Sequence, residues 1–315
     1  MNRRGLLIRL AGLGAAVAGG VWLRDQVVWR RPEVSVRDSE WTPWAHPRVD
    51  VPTIWAVIAG RRVRALIDSG AEYSAIDRSF VESLGLKSSF NMPLVAYGVG
   101  GQPQLGRGVT LNLEAGGLAI ARLQAAILDL GPVASAAGLE TPLILGQDVL
   151  GEAMLDLDLS LPRRSARRLR FLPPGSSAEE GLSAVSARRV GRGLKSEVVV
   201  EGAVIEALVD TGSSSALALS EGEAGAAGLN DGRPSDVSST LVLGGAMSSR
   251  NIRVASLSAA GADLGRSEVS IFATPRLPGF PGALLGTGAF RGRRVVLDVG
   301  GGRIFTSRAL DLTVG

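Results

Sequence analysis

One short phrase occurs twice in this 315-residue chain and constrains its fold more than any other feature. Ala-Leu-Ile precedes Asp68-Ser69-Gly70, and Ala-Leu-Val precedes Asp210-Thr211-Gly212, 142 residues later. A single Asp-Thr-Gly carries little information. Two copies at matching places predict two similar lobes related by a pseudo-twofold axis, with one carboxylate from each lobe on that axis.

The repeat extends on both sides of these phrases. Gly60 and Gly202 each lie eight residues before their aspartate, and each divides an apolar run into two predicted hairpin strands. After the aspartate, each half carries an apolar-Gly-Leu step, then a glycine-rich segment, then an apolar-apolar-Gly step. The matching segments are 84–86 and 227–229, 97–101 and 243–246, and 143–146 and 283–286.

Both halves resemble the retropepsin-like lobe of aspartic peptidases, with a hairpin, an Asp-Thr/Ser-Gly loop, a glycine-rich flap and an Ile-Leu-Gly step. Over residues 48–312, the chain resembles a fused two-lobe enzyme of the pepsin and retropepsin superfamily, in a bacterial exported form. The resemblance implies an all-β, bilobal acid-protease fold. Two retropepsin-like β-barrel lobes would be related by pseudo-twofold symmetry, with the active site between them. It also implies an aspartic endopeptidase without a cofactor, acting as a monomer because one chain supplies both halves.

Composition agrees with a mostly β protein, because 42 glycines and 15 prolines punctuate short apolar runs. Helices are predicted to be few and short, and the best candidates are 77–84 and 220–227, after the two aspartate loops. Adjacent prolines and small polar residues predict a linker between the lobes. The predicted organisation is a signal peptide or signal-anchor at 1–24, a spacer or a strand along the lobes at 25–47, an N-terminal aspartic protease lobe at 48–172, a linker at 173–187 and a C-terminal lobe at 188–315.

The predicted catalytic residues are Asp68 and Asp210. Two carboxylates brought close together cannot both ionise cheaply, so the pair shares one proton. Aspartic proteases are themselves a worked case of this effect. The ionised aspartate then takes a proton from a bound water while the neutral one donates to the scissile carbonyl. Such a pair needs no nucleophilic serine or cysteine.

Four neighbours are predicted to support the geometry of this pair. Gly70 and Gly212 are expected to let the backbone form a tight loop and to leave room for the opposite loop. By the resemblance, the hydroxyls of Ser69 and Thr211 each donate to the backbone of the other lobe. This interlock would keep the two carboxylates coplanar.

The third position after each aspartate differs between the halves, with Ala71 in the first and Ser213 in the second. In the family, a hydroxyl there hydrogen-bonds the outer carboxylate oxygen and favours ionisation. The resemblance therefore implies that Ser213 favours ionisation of Asp210, whereas Ala71 withholds this bond from Asp68. A pH profile in the mildly acidic to near-neutral range is expected.

The two glycine-rich segments are predicted to be flaps that close over an extended peptide, with glycine providing hinge freedom. Tyr97 resembles the flap tyrosine of pepsin-like enzymes, but it is close in sequence to Asp68 for that role, and simple packing is the alternative. Met247 is the predicted apolar tip of the second flap. The predicted flap and substrate-binding residues are Tyr97, Gly98, Gly100, Gly101, Gly244, Gly245 and Met247.

The N-terminus predicts export. Arg3 and Arg4 precede an apolar stretch at 10–23, which resembles a twin-arginine or a general secretory signal. The segment 16–18, Ala-Val-Ala, offers a cleavage site, whereas an uncleaved segment would be an inner-membrane anchor, and the sequence leaves both open. The predicted location is periplasmic or exported.

Charge and histidine content argue against other functions. The net charge is +4, but much of the excess lies in the leader and in the basic run 163–170, a predicted hairpin loop without a nucleic-acid motif. His46 is the only histidine and cysteine is absent, so no metal site is predicted. Asp156 and Asp298, each 88 residues after its catalytic aspartate, are interpreted as structural. The predicted partner is a polypeptide. A non-catalytic peptide-binding module and a membrane-tethered structural protein remain alternatives.

Overall fold

A computed structural model describes residues 9–10, 30–87, 90–97, 103–135, 138–161, 163–242, 245–273 and 281–308. Most of the predicted leader, 1–24, therefore lies outside the described residues. Within these ranges the regular elements are mostly strands, and the helices are too short and too polar to span a bilayer.

The first half of the chain contains twelve strands, two helices and two 3-10 turns in its described ranges. Its strands are β1 (Arg9–Leu10), β2 (Glu33–Val36), β3 (Thr42–Pro43), β4 (Thr53–Ile58), β5 (Arg61–Ile67), β6 (Ala75–Asp77), β7 (Phe90–Tyr97), β8 (Pro103–Ala115), β9 (Leu118–Leu128), β10 (Leu143–Leu145), β11 (Met154–Asp158) and β12 (Arg168–Leu172). Its helices are α1 (Arg78–Ser83) and α2 (Gln147–Leu150), and its 3-10 turns are Gly131–Val133 and Arg164–Ala166.

The second half repeats this order of elements. Its strands are β13 (Leu182–Val185), β14 (Ala187–Val190), β15 (Gly193–Val200), β16 (Ala203–Asp210), β17 (Leu217–Ser220), β18 (Ser235–Val242), β19 (Gly245–Ala259), β20 (Ala262–Phe272), β21 (Ala283–Gly286), β22 (Arg294–Asp298) and β23 (Arg303–Ser307). Its helix is α3 (Glu221–Ala226), and a 3-10 turn covers Thr287–Phe290.

Each half closes six strands into a barrel. In the first lobe, neighbouring strands follow the order β9-β6-β10-β5-β4-β8, and β8 pairs back with β9. In the second lobe, the order is β19-β20-β17-β21-β16-β15, and β15 pairs back with β19. The predicted all-β, bilobal retropepsin-like fold is confirmed.

The hairpins that lead to the two aspartates have the same kind of turn. Ala59 and Gly60 have φ values of 50° and 79°, and Glu201 and Gly202 have 46° and 86°. Positive φ at both central residues gives a two-residue turn whose twist matches the flanking strands, and glycine adopts it without steric cost. The turns join β4 to β5 and β15 to β16, as the divided apolar runs predict.

Both predicted helices are present and each begins with a side-chain cap. The Asp77 carboxylate accepts hydrogen bonds from the backbone N–H groups of Ser79 and Phe80 at the start of α1. The Ser220 hydroxyl accepts one from the N–H of Glu223 at the start of α3. These caps satisfy N–H groups that have no partner inside the helix.

A third sheet joins the two lobes, with the strand order β13-β23-β22-β11-β12-β3. β11 of the first lobe and β22 of the second pair antiparallel, with Asp156 opposite Val296. β11 also pairs with β12, so the basic run lies in the predicted hairpin. We call these six strands the shared sheet.

The shared sheet corrects the match between structural aspartates. β11 ends at Asp158 and β22 ends at Asp298, and each carboxylate accepts a hydrogen bond from the arginine directly opposite on the next strand, Arg168 or Arg303. Asp158, rather than Asp156, is therefore the equivalent of Asp298. Counting 88 residues from each catalytic aspartate pairs Asp298 with the wrong residue. The reason is that the second half is two residues shorter than the first between its aspartate and its apolar-apolar-Gly step.

Segments outside the barrels also lie on the sheets. In the predicted spacer, β2 pairs antiparallel with β9 of the first barrel, and β3 pairs with β12 of the shared sheet. Within the predicted linker, β13 pairs with β23. Most of the buried apolar side chains of both lobes form one continuous core.

Candidate active site

The two predicted catalytic aspartates lie at the ends of equivalent strands. Asp68 directly follows β5, Asp210 ends β16, and both side chains are completely buried. A Cβ atom added to Gly70 would lie 2.6 Å from Cγ of Asp210, and one added to Gly212 would lie 2.7 Å from Cγ of Asp68. Each aspartate loop therefore lies directly against the carboxyl group of the other lobe.

Gly70 and Gly212 are required by space rather than by backbone conformation. Neither has a positive φ, so the predicted need for glycine to form a tight loop is wrong. The other predicted reason, room for the opposite loop, agrees with the structure. A Cβ at either position would lie within 3.0 Å of carboxyl atoms, closer than real Cβ contacts come.

The hydroxyls of Ser69 and Thr211 interlock across the two lobes as the resemblance implies. Ser69 Oγ donates to the carbonyl of Val209 at 2.8 Å, and Thr211 Oγ1 donates to the carbonyl of Ile67 at 2.7 Å. Each hydroxyl also accepts a 3.0 Å hydrogen bond from the backbone N–H of the other residue. Four buried hydrogen bonds therefore hold the two aspartate loops together.

The local environment raises the pKa of both carboxyl groups. Oδ1 of Asp68 accepts hydrogen bonds from the N–H groups of Gly70 and Ala71, and Oδ1 of Asp210 accepts one from Gly212. These bonds favour the ionised forms, but burial outweighs them at both positions. The negative charge of Asp210 raises the pKa of Asp68 further, well above its ordinary value. The two carboxyls therefore titrate as one coupled pair, which holds a single proton over a range of pH.

The implied role of Ser213 is not found. Its Oγ and the Oδ2 atoms of Asp68 and Asp210 are buried and make no hydrogen bond among the described residues. The hydroxyl therefore does not support the Asp210 carboxylate in the way the resemblance implies. Ala71, which is also buried, presents no hydroxyl to Asp68.

The predicted flaps correspond to the hairpins β7–β8 and β18–β19. The backbone of Tyr97 ends β7 opposite Pro103, and the backbone of Met247 in β19 lies opposite Thr240. The side chains of Tyr97 and Met247 lie outside the described residues, as do Gly98, Gly100, Gly101 and Gly244, whereas Gly245 begins β19. The structure therefore places the hairpins but leaves the side-chain roles as predictions.

Residues 54–149 match a family model described as aspartyl protease. The predicted resemblance to aspartic proteases is confirmed. The matched range includes Asp68 and the apolar-apolar-Gly step of the first lobe.

Two solved structures are similar to this chain. One is the crystal structure of basic 7S globulin from soybean, with 10% sequence identity and a TM-score of 0.46, covering 86% of this chain and 95% of that chain. The other is a retropepsin-like aspartic protease from Rickettsia conorii, with 19% identity and a TM-score of 0.30, covering 40% of this chain and 92% of that chain. No curated protein matches the chain.

Two residues that support the aspartate loops were not predicted. Gln147 donates from its backbone N–H to the carbonyl of Ala71 at 2.8 Å, and from Nε2 to the carbonyl of Ser69 at 2.7 Å. In the second lobe, Thr287 donates from its N–H to the carbonyl of Ser213 at 2.8 Å. Both residues directly follow the glycine of the apolar-apolar-Gly step. This shared position in the repeat is the sequence signal that could have identified them.

Asp148 was also missed, and only the first lobe contains it. Its carboxylate is buried and accepts hydrogen bonds from the N–H and hydroxyl of Ser74, at 3.1 and 2.7 Å. Burial nevertheless raises the pKa of Asp148 to about 6. The equivalent position in the second lobe is Gly288, so the surroundings of the two loops differ.

The single histidine, His46, is half-buried in the loop before β4. Its backbone N–H donates to Thr53 Oγ1 at 2.9 Å, and burial together with the charge of Arg64 lowers the pKa of its imidazole. Over the described ranges, no three His, Cys, Asp or Glu side chains form a group able to hold a metal ion.

Proposed function

We propose that the chain is an exported aspartic endopeptidase that hydrolyses peptide bonds of envelope or periplasmic proteins. The observation that carries this proposal is the pair of buried carboxyls, Asp68 and Asp210, contributed by equivalent strands of two lobes and held by reciprocal hydroxyl bonds. Because the two environments differ, one carboxyl stays protonated while the other ionises over a range of pH.

In the proposed mechanism, Asp210 is the general base and Asp68 is the general acid. Asp210 takes a proton from a water molecule while that water attacks the scissile carbonyl carbon, and Asp68 gives its proton to the carbonyl oxygen. The product of this step is a tetrahedral diol. Asp210 then returns its proton to the leaving nitrogen as the C–N bond breaks, and Asp68 recovers a proton from a diol hydroxyl. Both carboxyls end as they began.

The support for a polypeptide substrate is the pair of hairpins, β7–β8 and β18–β19, that extend from the two barrels. An extended peptide binds to strand edges through backbone hydrogen bonds, while its side chains alternate between subsites. The support for export is the sequence of the leader, in which Arg3 and Arg4 precede an apolar stretch.

Cleavage of a peptide library by the purified chain tests the activity. We expect Asp68→Asn and Asp210→Asn each to abolish cleavage, and the double variant to be no worse, because the two groups act as one unit. Asp263→Asn, at an exposed position in β20, is the matched control and should cleave as the wild type does.

Two further measurements distinguish aspartic endopeptidase activity from metal-dependent cleavage and from peptide binding without cleavage. A statine-type peptide, whose hydroxyl mimics the tetrahedral intermediate, should inhibit cleavage, and a chelator should not. If the wild type binds library peptides without cleaving them, and Asp68→Asn binds them equally, the chain is a peptide-binding module with the same fold. Substantial cleavage by either single variant would contradict the two-aspartate mechanism.

A further inference from the structure

Two charged residues at matching positions of the repeat reach from one lobe to the other. Asp50 lies 18 residues before Asp68, and Arg192 lies 18 residues before Asp210. Asp50 stands in the loop before β4, and Arg192 stands in the turn before β15. These two strands begin the equivalent hairpins, so the two residues are structural equivalents with opposite charges.

The backbone of Asp50 contacts the turn that supports the loop of Asp210. Thr287 Oγ1 lies 2.7 Å from the carbonyl oxygen of Asp50 and 2.9 Å from the carbonyl oxygen of Ser213, and its hydroxyl proton serves one of them at a time. The N–H of Thr287 donates to the same Ser213 carbonyl. A segment of the first lobe is therefore one side chain away from the catalytic loop of the second.

The side chain of Asp50 fixes this segment in place. Arg164 donates to its carboxylate with Nε at 2.9 Å and Nη2 at 2.8 Å, and Arg167 donates with Nη1 at 2.5 Å. Arg291 of the second lobe adds a contact at 3.6 Å. Burial alone raises the pKa of Asp50, but these guanidinium groups outweigh it and leave the pKa below its ordinary value. The carboxylate is thus charged and bound from three directions.

Arg192 makes the corresponding approach in the opposite direction. Its guanidinium carbon lies 4.9 Å from the centre of the Tyr73 ring, and Tyr73 follows Asp68 by five residues. The next residue, Gly193, is so close to Gln147 that an added Cβ would lie 3.1 Å from its Nε2. That amide group donates to the backbone beside Asp68. The second lobe therefore lies against the supports of the first catalytic loop.

We propose that Asp50 and Arg192 are positioning residues, each based on one lobe and each holding residues that lie beside the catalytic loop of the other lobe. A carboxyl pair works only when its two members keep a fixed mutual geometry, and displacements near 1 Å cost about 100-fold in rate. Two reciprocal contacts resist sliding of one lobe over the other in a way that contacts within a lobe cannot. This inference rests on the proposed proteolytic function.

The sharpest test removes one hydrogen bond without changing shape. In the full chain, Thr287→Val deletes the donor to Asp50, and Thr287→Ser restores it. Asp50→Asn and Arg192→Met remove the two charges. We expect kcat to fall about tenfold or more in Thr287→Val, Asp50→Asn and Arg192→Met, with KM changed by less than about twofold, and Thr287→Ser to recover the wild-type kcat. Glu201→Gln, which weakens an ion pair to Arg233 beside the β15–β16 turn, is the control and should leave kcat unchanged.

A readout that does not need cleavage separates this inference from the proposed function. Carbon-13 NMR titration of the aspartate carboxyls should show two widely separated pKa values for the pair in the wild type. In Thr287→Val these values should move closer together, because misaligned carboxyls interact less. If the wild type cleaves peptides and both Thr287→Val and Asp50→Asn have the same kcat as the wild type, the positioning role is overturned. If the wild type does not cleave, an unchanged titration in Thr287→Val would overturn it, and a narrowed one would support it without the proposed function.

Discussion

Asp68 and Asp210 are both completely buried, and burial raises the pKa of each above the ordinary aspartate value of 3.8. A carboxyl with a higher pKa in the folded than in the unfolded protein binds more protons when folded, at pH values between the two. The free energy of unfolding therefore falls as pH rises through this window. The same groups that are proposed to do the chemistry thus destabilise the fold at neutral pH.

Replacing Asp68 with asparagine should remove part of this destabilisation at neutral pH. We expect Asp68→Asn to increase the free energy of unfolding at pH 7 and to flatten its decline between pH 4 and 7, because the buried pair then carries one titrating group. Urea unfolding at several pH values measures it, with Asp263→Asn as the exposed control. A lower free energy of unfolding for Asp68→Asn at pH 7 would contradict the raised pKa.

The unbonded hydroxyl of Ser213 leads to a second prediction at this scale. Because Oγ of Ser213 donates no hydrogen bond to Asp210, Ser213→Ala should leave the acidic limb of the kcat/KM profile where it is in the wild type. The profile itself should lie toward neutral pH, since both pKa values are raised and catalysis needs one ionised and one protonated carboxyl. An acidic limb displaced to higher pH in Ser213→Ala would mean that the hydroxyl supports the ionised carboxylate during turnover.

Among the elements, the shared sheet depends on one buried charge. Asp156 is completely buried in β11 and accepts hydrogen bonds from Arg170, with Nε at 2.9 Å, and from Arg294, with Nε at 2.8 Å and Nη2 at 2.6 Å. Both guanidinium groups also lie over the ring of Trp41, which precedes β3. Strands from both lobes therefore meet at the buried carboxylate of Asp156, and the same two arginines also bind the more exposed Glu179.

Removing that carboxylate should weaken the joint between the lobes. We expect Asp156→Ala to lower the free energy of unfolding by about 3 kcal/mol, because two largely buried guanidinium groups lose their buried partner and keep only the more exposed Glu179. Chemical denaturation measures the loss. Glu206→Ala, which breaks a more exposed ion pair with Arg188, is the matched control and should cost at most about 1 kcal/mol. Equal losses in the two variants would show that Asp156 has no special role.

The sequence predicted those elements whose signals are local. The turns at Gly60 and Gly202, the helices α1 and α3, and both aspartate loops follow from residues close together in the chain. The contact between Thr287 and Asp50 spans 237 residues, so no local pattern predicts it. The register of the shared sheet was equally hidden, because it depends on how two complete lobes pack.

At the scale of the whole molecule, segments that precede the first barrel pair with both lobes. β2, which begins at Glu33, pairs with the first barrel, and the two described residues of the predicted leader pair as β1 (Arg9–Leu10) with β18 of the second lobe.

Location can be tested with a reporter fused after Trp29 that is active only outside the cytoplasm. We expect activity, because the apolar stretch after Arg9 should direct transport across the inner membrane. Replacing Arg3 and Arg4 with lysine should stop transport by the twin-arginine route and leave the general route unaffected. The complementary reporter, active only in the cytoplasm, is the control, and activity of that reporter alone would contradict export.

The fusion of two unequal lobes also gives the cleft a direction. A symmetric dimer offers a peptide the same surroundings whether it enters amino end first or carboxyl end first. In this chain, Ala71 of the first half is equivalent to Ser213 of the second, and Asp148 is equivalent to Gly288. Under the proposed function, the two orientations of a bound peptide therefore differ in energy, and the order of residues in a cleavage site matters in a way that it cannot in a symmetric dimer.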